Sequence, residues 1–150
     1  MAKPVKAYIP ENSNPMVEKF ICCMMYGGKK SVARRVFADA LETIKTRTKE
    51  DPMEVFSKAL LNATPLVEVR PKRVGGAVYQ VPTEVSAKRQ TALSIRWILM
   101  AARDRKGIPM SQKLALELLE ASAEQGGAVK KKQDVIKMAQ ANKAFAHLAK

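Results

Sequence analysis

The sequence predicts a mainly α fold: a six-helix bundle with a β-hairpin protruding between the third and fourth helices. Three observations carry this. Six segments repeat apolar residues at three- and four-residue spacing, the pattern of a helix with one buried face. One central stretch, Leu66 to Ser86, has period-two alternation and β-branched residues instead. Pro and Gly punctuate the chain between these segments. A chain of 150 residues, 47% of them apolar, is long enough for one domain with a core of its own.

The first helix is expected from Pro15, behind Asn14 as cap, with Val17, Phe20, Ile21 and Met24 as its apolar stripe and Gly27-Gly28 at its end. Residues 1–14, with Pro4, Pro10 and no periodicity, read as an extended arm. The second helix opens at GKKS and runs to about Thr48, with Ala33, Val36, Phe37, Ala40, Leu41 and Ile44 inward. Lys29, Lys30, Arg34 and Arg35 crowd its start, where cations oppose the helix dipole. That conflict hints at a compensating external anion. The third helix starts at Asp51-Pro52-Met53-Glu54, a cap, a first-position proline and an acid at the capping-box position. Val55, Phe56, Ala59, Leu60 and Ala63 face its core, and Pro65 stops it.

In the hairpin, Val67 and Val69 alternate with Glu68 and Arg70, and Val78, Tyr79 and Val81 form the return strand. Pro71, Lys72, Arg73, Val74, Gly75 and Gly76 are expected as the turn, because proline disfavours a ladder and glycine takes positive φ cheaply. A lone hairpin is marginal in water, so helices behind it or a partner in front must hold it. Arg70, Lys72 and Arg73 specify an anionic partner.

Lys88 to Lys106 is the fourth helix, with Ala92, Ile95, Leu99 and Ala102 in line and Leu93, Trp97 and Met100 beside them. Arg89, Arg96 and Arg103 recur every seven residues and so share a side, drifting about 20° per heptad, spaced to follow a phosphate backbone. Trp97 reads as core. The fifth helix carries Leu114, Leu118 and Ala121 inward. Glu117, Glu120 and Glu124 turn it away from a polyanion, and Gly126-Gly127 end it. The last helix opens with Lys130-Lys131-Lys132 and turns Val129, Val135, Ile136, Met138, Ala139, Asn142 and Phe145 partly inward.

The net charge is +13, and it is unevenly placed. Residues 1–50 carry +5, residues 66–106 carry +6 and residues 127–150 carry +5, whereas 51–65 and 107–126 carry −1 and −2. A folded nucleic-acid binder with one basic side has this division, and its contacts go mostly to phosphate. No metal cluster, Walker-type loop or nucleophile–base pair is visible, so neither an enzyme nor a cofactor is expected, and the lone His147 reads as a bystander or an RNA contact. No apolar run suffices for a membrane span, no helix has the split of a membrane-surface helix, and MAKPVKAYIPENSNP lacks a signal-peptide core and transit-peptide composition. Adjacent Cys22 and Cys23 are expected as buried packing in a reducing, cytoplasmic setting. The residues alone leave RNA and DNA both open. A sequence-specific DNA regulator is the runner-up, disfavoured by the lack of an evident dimer seam.

RVGGAVYQVPTEV at Arg73 to Val85 resembles the signature hairpin of the bacterial-type family of small-subunit ribosomal protein seven. GKKS, DPMEVFSKAL through PLVEV, ALSIRWILMAAR and AVKKKQDVIKMAQANKAFAH are similar to that family in the same order, so the likeness spans roughly residues 15 to 147. The resemblance implies a six-helix bundle with a hairpin arm. It also implies primary binding to the 3′ major domain of 16S-type rRNA, nucleation of the subunit head, and a place beside the exit-site tRNA. The eleventh small-subunit protein is an implied neighbour, with the ninth and thirteenth as further head proteins. Mapped onto this chain, Lys72, Arg73, Gly75, Gly76, Tyr79 and Gln80 lie on the arm. Arg89, Arg96 and Arg103, with Lys88 at the same helix, lie on the fourth helix, and Lys29, Lys30, Arg34 and Arg35 on the start of the second. The chain departs from the family at both ends. It has only Lys3 and Lys6 before Glu11 where the family carries an Arg-rich tail, and AFAHLAK where the family ends AFAH, aromatic, Arg, Trp. These departures suit a divergent bacterial ribosome and an organelle ribosome alike.

Overall fold

A computed structural model describes residues 13–149. Its elements are α1 (Pro15–Met24), α2 (Lys30–Arg47), α3 (Pro52–Ala63), β1 (Val67–Val74), β2 (Ala77–Glu84), α4 (Ala87–Asp104), α5 (Met110–Ser122), α6 (Gly126–Ala141) and a closing 3₁₀ segment (Lys143–Ala149). The six helices and the hairpin between the third and fourth match the sequence reading. The expected N-terminal arm falls on residues almost all outside the described part.

Local signals set the helix starts. Asn14 caps α1 by accepting the Met16 amide at 2.9 Å, and Asp51 caps α3 by accepting the Met53 amide at 3.2 Å, each followed by a proline at the first helical position. The core begins where α1, α2 and α3 meet. Phe20, Phe37 and Phe56 pack with ring centroids 5.2–5.6 Å apart, and the Phe20–Phe56 and Phe37–Phe56 pairs are edge-on. Ile95, Ile98, Leu114 and Leu118 extend the core through α4 and α5. Helix α5 lies against α2, α3 and α4, and α6 closes over α4.

The glycine pair at 126–127 begins α6; it does not end α5, as the sequence suggested. Helix α5 stops at Ser122, and Glu124 takes the left-handed conformation after it (φ 58°). The glycines are needed for approach. A Cβ on Gly127 would meet the Ala101 Cβ of α4 at 2.8 Å, and one on Gly126 would meet Glu117 Oε1 at 3.0 Å. The final helix also breaks earlier than expected, at Ala141, where a 3₁₀ segment follows, and Met138 is exposed. Cys22 and Cys23 are exposed as well, because Val17, Phe20, Ile21 and Met24 already fill the buried face of α1.

Strands β1 and β2 pair antiparallel from Val67↔Glu84 to Val74↔Ala77, without a break at Pro71, which faces Gln80. The turn is Gly75-Gly76 alone, with φ 57° and 88°, the geometry of a tight two-residue hairpin. Lys72 and Arg73 therefore stand on the strand and not in the turn. Proline is tolerated because a two-stranded sheet has only edge strands. The expected inward Val67 and Val69 are half-buried, and Glu68 between them is the buried residue of β1, with Val81 beneath on β2.

Candidate nucleic-acid interface

Alternation along the strands gives the hairpin two faces. Glu68, Arg70, Lys72, Tyr79 and Val81 share one, and Arg73, Val78 and Gln80 the other. The first face meets the end of the chain. Tyr79 packs on Phe145 with centroids 5.1 Å apart, and Lys72 Nζ donates to the Leu148 carbonyl at 2.6 Å. The second face is open: Arg73, Val78 and Gln80 are exposed near the Gly75-Gly76 tip.

The cations expected to meet RNA divide into those held by the protein and those facing solvent. At the start of α2, Lys30 Nζ and Arg34 Nη2 lie 2.9 and 3.0 Å from Glu18 Oε2, and Ser13 Oγ donates to the other oxygen at 3.0 Å. Lys30, then Arg34, hold the Glu18 carboxyl down to about 2, against the opposing effect of its burial. The anion compensating the basic start of α2 is therefore internal for these two residues, not external as expected. Lys29 and Arg35 remain exposed, without ion pairs among the described residues.

The same arrangement recurs at the hairpin base. Arg70 pairs with Glu68 Oε1, and Arg89 Nε sits 3.3 Å from Glu68 Oε2. Glu68 thus pins β1 to the first turn of α4. Lys132 donates to the Asn62 carbonyl at 2.9 Å, and the Asn62 amide donates to the Ala121 and Ser122 carbonyls at 2.9 and 3.0 Å. Lys132 therefore serves the C-terminal carbonyls of α3, and Asn62 those of α5. Glu117, expected on an outward acidic face, is instead buried. It accepts from Arg105 at 2.7 Å and from the Ala128 amide at 2.9 Å, capping α6 in place of Gln125. Glu120 and Glu117 together raise the Arg105 guanidinium above its ordinary value.

The three aligned arginines of α4 take different positions. Arg89 is tied to Glu68 and Arg96 faces solvent. Arg103 donates to the terminal carbonyl of α1, Met24, at 3.2 Å and lies 4.6 Å from the centroid of the Tyr26 ring. Lys88, Arg96, Lys130 and Lys131 are exposed and make no ion pair among the described residues. Three adjoining concavities connect this set. Lys29 and Arg103 line the first; Arg96 and Arg103 line the second with Met100 and Asp104; Met100 and Asp104 line the third with Lys130 and Lys131. A broken band of cations therefore runs from the α1–α2 turn, across α4, to the start of α6. Sequence reasoning missed Glu18, Glu68 and Glu117, which select the cations left for a partner, and it missed Tyr26. The last had a signal: an aromatic outside any apolar stripe, directly before Gly27-Gly28-Lys29-Lys30.

The family described as ribosomal protein S7p/S5e matches residues 2–143. The chain belongs to this family. Similar proteins include the small ribosomal subunit protein uS7 of Dictyoglomus thermophilum, 52% identical over 138 residues covering 92% of this chain and 88% of the relative. The proteins of the same name from Afipia carboxidovorans and Thermosipho africanus are 52% and 51% identical, over 92% of this chain and 88% and 89% of theirs. Membership of the S7p/S5e family makes the chain a structural ribosomal protein and not an enzyme, and it leaves the DNA-regulator reading without support. Among the described residues, no helix is long and apolar enough to cross a membrane.

Proposed function

We infer that this chain is a primary rRNA-binding protein of a bacterial-type small ribosomal subunit. As a single helical domain it binds the 3′ major domain of 16S-type rRNA, nucleates the subunit head, and presents its hairpin toward the exit-site tRNA, with the eleventh small-subunit protein among its neighbours. The family match carries this reading. The electrostatics support it. Cations not consumed by internal carboxylates gather on the α1–α2 turn, α4, the start of α6 and the open hairpin face, while the segments 51–65 and 107–126 are net acidic. Such a surface neutralises phosphates and recognises RNA by shape, since the fixed helices set the spacing of the charges.

The test is binding of the full chain to a 3′ major-domain rRNA fragment across salt. With ~6–10 phosphates contacted, affinity falls about 10³- to 10⁵-fold between roughly 50 and 200 mM salt, by analogy with duplex DNA. A chain that binds the fragment no better than an unrelated RNA of equal length, and does not sediment with small subunits, overturns the reading.

A further inference from the structure

We propose that Tyr26 is a stacking platform for one unpaired RNA base, and that the groove beneath it takes that nucleotide. The proposal rests on the rRNA-binding reading and names a site within it. Tyr26 is 70% exposed, whereas the other aromatic rings among the described residues are buried or half-buried. It stands two residues past the end of α1, directly before Gly27 and Gly28, both at positive φ.

One face of the ring is already occupied. The Arg103 guanidinium lies 4.6 Å from its centroid and is itself fixed by the Met24 carbonyl. This contact orients the ring before any ligand arrives, so little rotamer freedom remains to be lost on binding. The opposite face is left for a flat partner. The ring lines a concavity of about 310 Å³ together with Met25, Val32, Val36 and Met110 and the two cations Lys29 and Arg103. A mostly apolar lining that includes two cations suits neither a phosphate alone nor a purely apolar side chain. It suits a nucleotide, whose base stacks and whose phosphate meets the lysine. Arg96, in the next concavity along α4, continues the cationic path for the neighbouring phosphate.

The experiment uses the full chain and the same 3′ major-domain rRNA fragment, with Tyr26→Ala, Tyr26→Phe, Tyr26→Trp and Lys29→Ala, each checked for helical content by circular dichroism. Stacking predicts that Tyr26→Ala weakens binding by about 5- to 100-fold, while phenylalanine and tryptophan retain it. The loss is the same at low and high salt, because stacking releases no counterion, whereas Lys29→Ala lowers the salt slope by about 0.7–0.9. Ultraviolet crosslinking of the wild-type complex, mapped by mass spectrometry, places a nucleotide on the peptide containing Tyr26. Unchanged affinity of Tyr26→Ala together with no crosslink at this peptide overturns the proposal while leaving the rRNA reading in place. If, in addition, the variant enters subunits poorly, the groove holds a protein side chain instead. A wild-type chain that fails to bind the fragment removes both.

Discussion

Two kinds of cation share the surface around α4, and they differ in what stands behind them. Lys30, Arg34, Arg70, Arg89 and Arg105 each touch a carboxylate of Glu18, Glu68 or Glu117, and all three of those acids are buried. Lys29, Arg35, Arg73, Lys88, Arg96, Lys130 and Lys131 are exposed, with no such partner among the described residues. The first kind joins elements: α1 to α2, β1 to α4, and the α4–α5 connection to α5. The second kind supplies field. The difference teaches that a basic protein spends part of its charge on its own architecture, and that net charge overstates the surface offered to RNA. Breaking the joints should cost stability; removing the solvent-facing cations should cost affinity.

The largest effect is expected at Glu117. Glu117→Ala removes the acceptor of the buried Ala128 amide and one of the two carboxylates on Arg105. Arg105 is partly exposed and keeps Glu120, so the loss is below that of a fully buried pair, about 2–4 kcal/mol. Urea unfolding measures it, read as a lower midpoint at unchanged slope. A change under about 0.5 kcal/mol would mean that α6 does not depend on this carboxylate.

Glu18 gives a pH-dependent effect. Its carboxyl titrates near 4.5 in the unfolded chain and at about 2 in the folded one, so between those values the unfolded state binds the extra proton. Stability therefore rises with pH across this window, is fully present above about 4.5, and is lost as pH falls toward 2. In Glu18→Gln the same window should show a flatter dependence of the unfolding midpoint on pH than in the wild-type chain. Parallel curves for the two proteins would place the acid sensitivity elsewhere.

How much of this was legible in the sequence follows from the range of the interactions. Apolar spacing placed all six helices, and Asn14-Pro15 and Asp51-Pro52 marked two starts to the residue, since caps and prolines act within one turn. The strand through Pro71 was missed because proline is forbidden only where its N–H would be needed, and that depends on how many strands the sheet has. Gly126-Gly127 looked like a stop because helix ends favour glycine. Their actual reason is Ala101 and Glu117, which lie 26 and 10 positions away in sequence from Gly127. For the candidate interface, sequence showed where cations were dense but not which were spoken for. Glu18 lies sixteen residues from Arg34 and Glu68 twenty-one from Arg89, and no local rule joins them.

The smallest effects come from single arginines, and these divide the two kinds most directly. Arg34 and Arg73 carry the same charge, and a count of net charge treats them alike. Arg34 is bonded to a buried carboxylate at 3.0 Å, so its phosphate-facing capacity is already engaged. Arg73 stands exposed one residue from the hairpin turn, on the face not covered by the chain end. Arg73→Ala should lower the slope of log affinity against log salt for the rRNA fragment by about 0.7–0.9 and leave thermal unfolding unchanged. Arg34→Ala should do the reverse: it leaves buried Glu18 with Lys30 as its one remaining cation among the described residues, lowering the unfolding temperature, while the salt slope stays within error of wild type. Measured together on one RNA, equal slope changes for the two variants would show that Arg34 leaves Glu18 when RNA binds, and the division between joints and field would then hold only for the free protein.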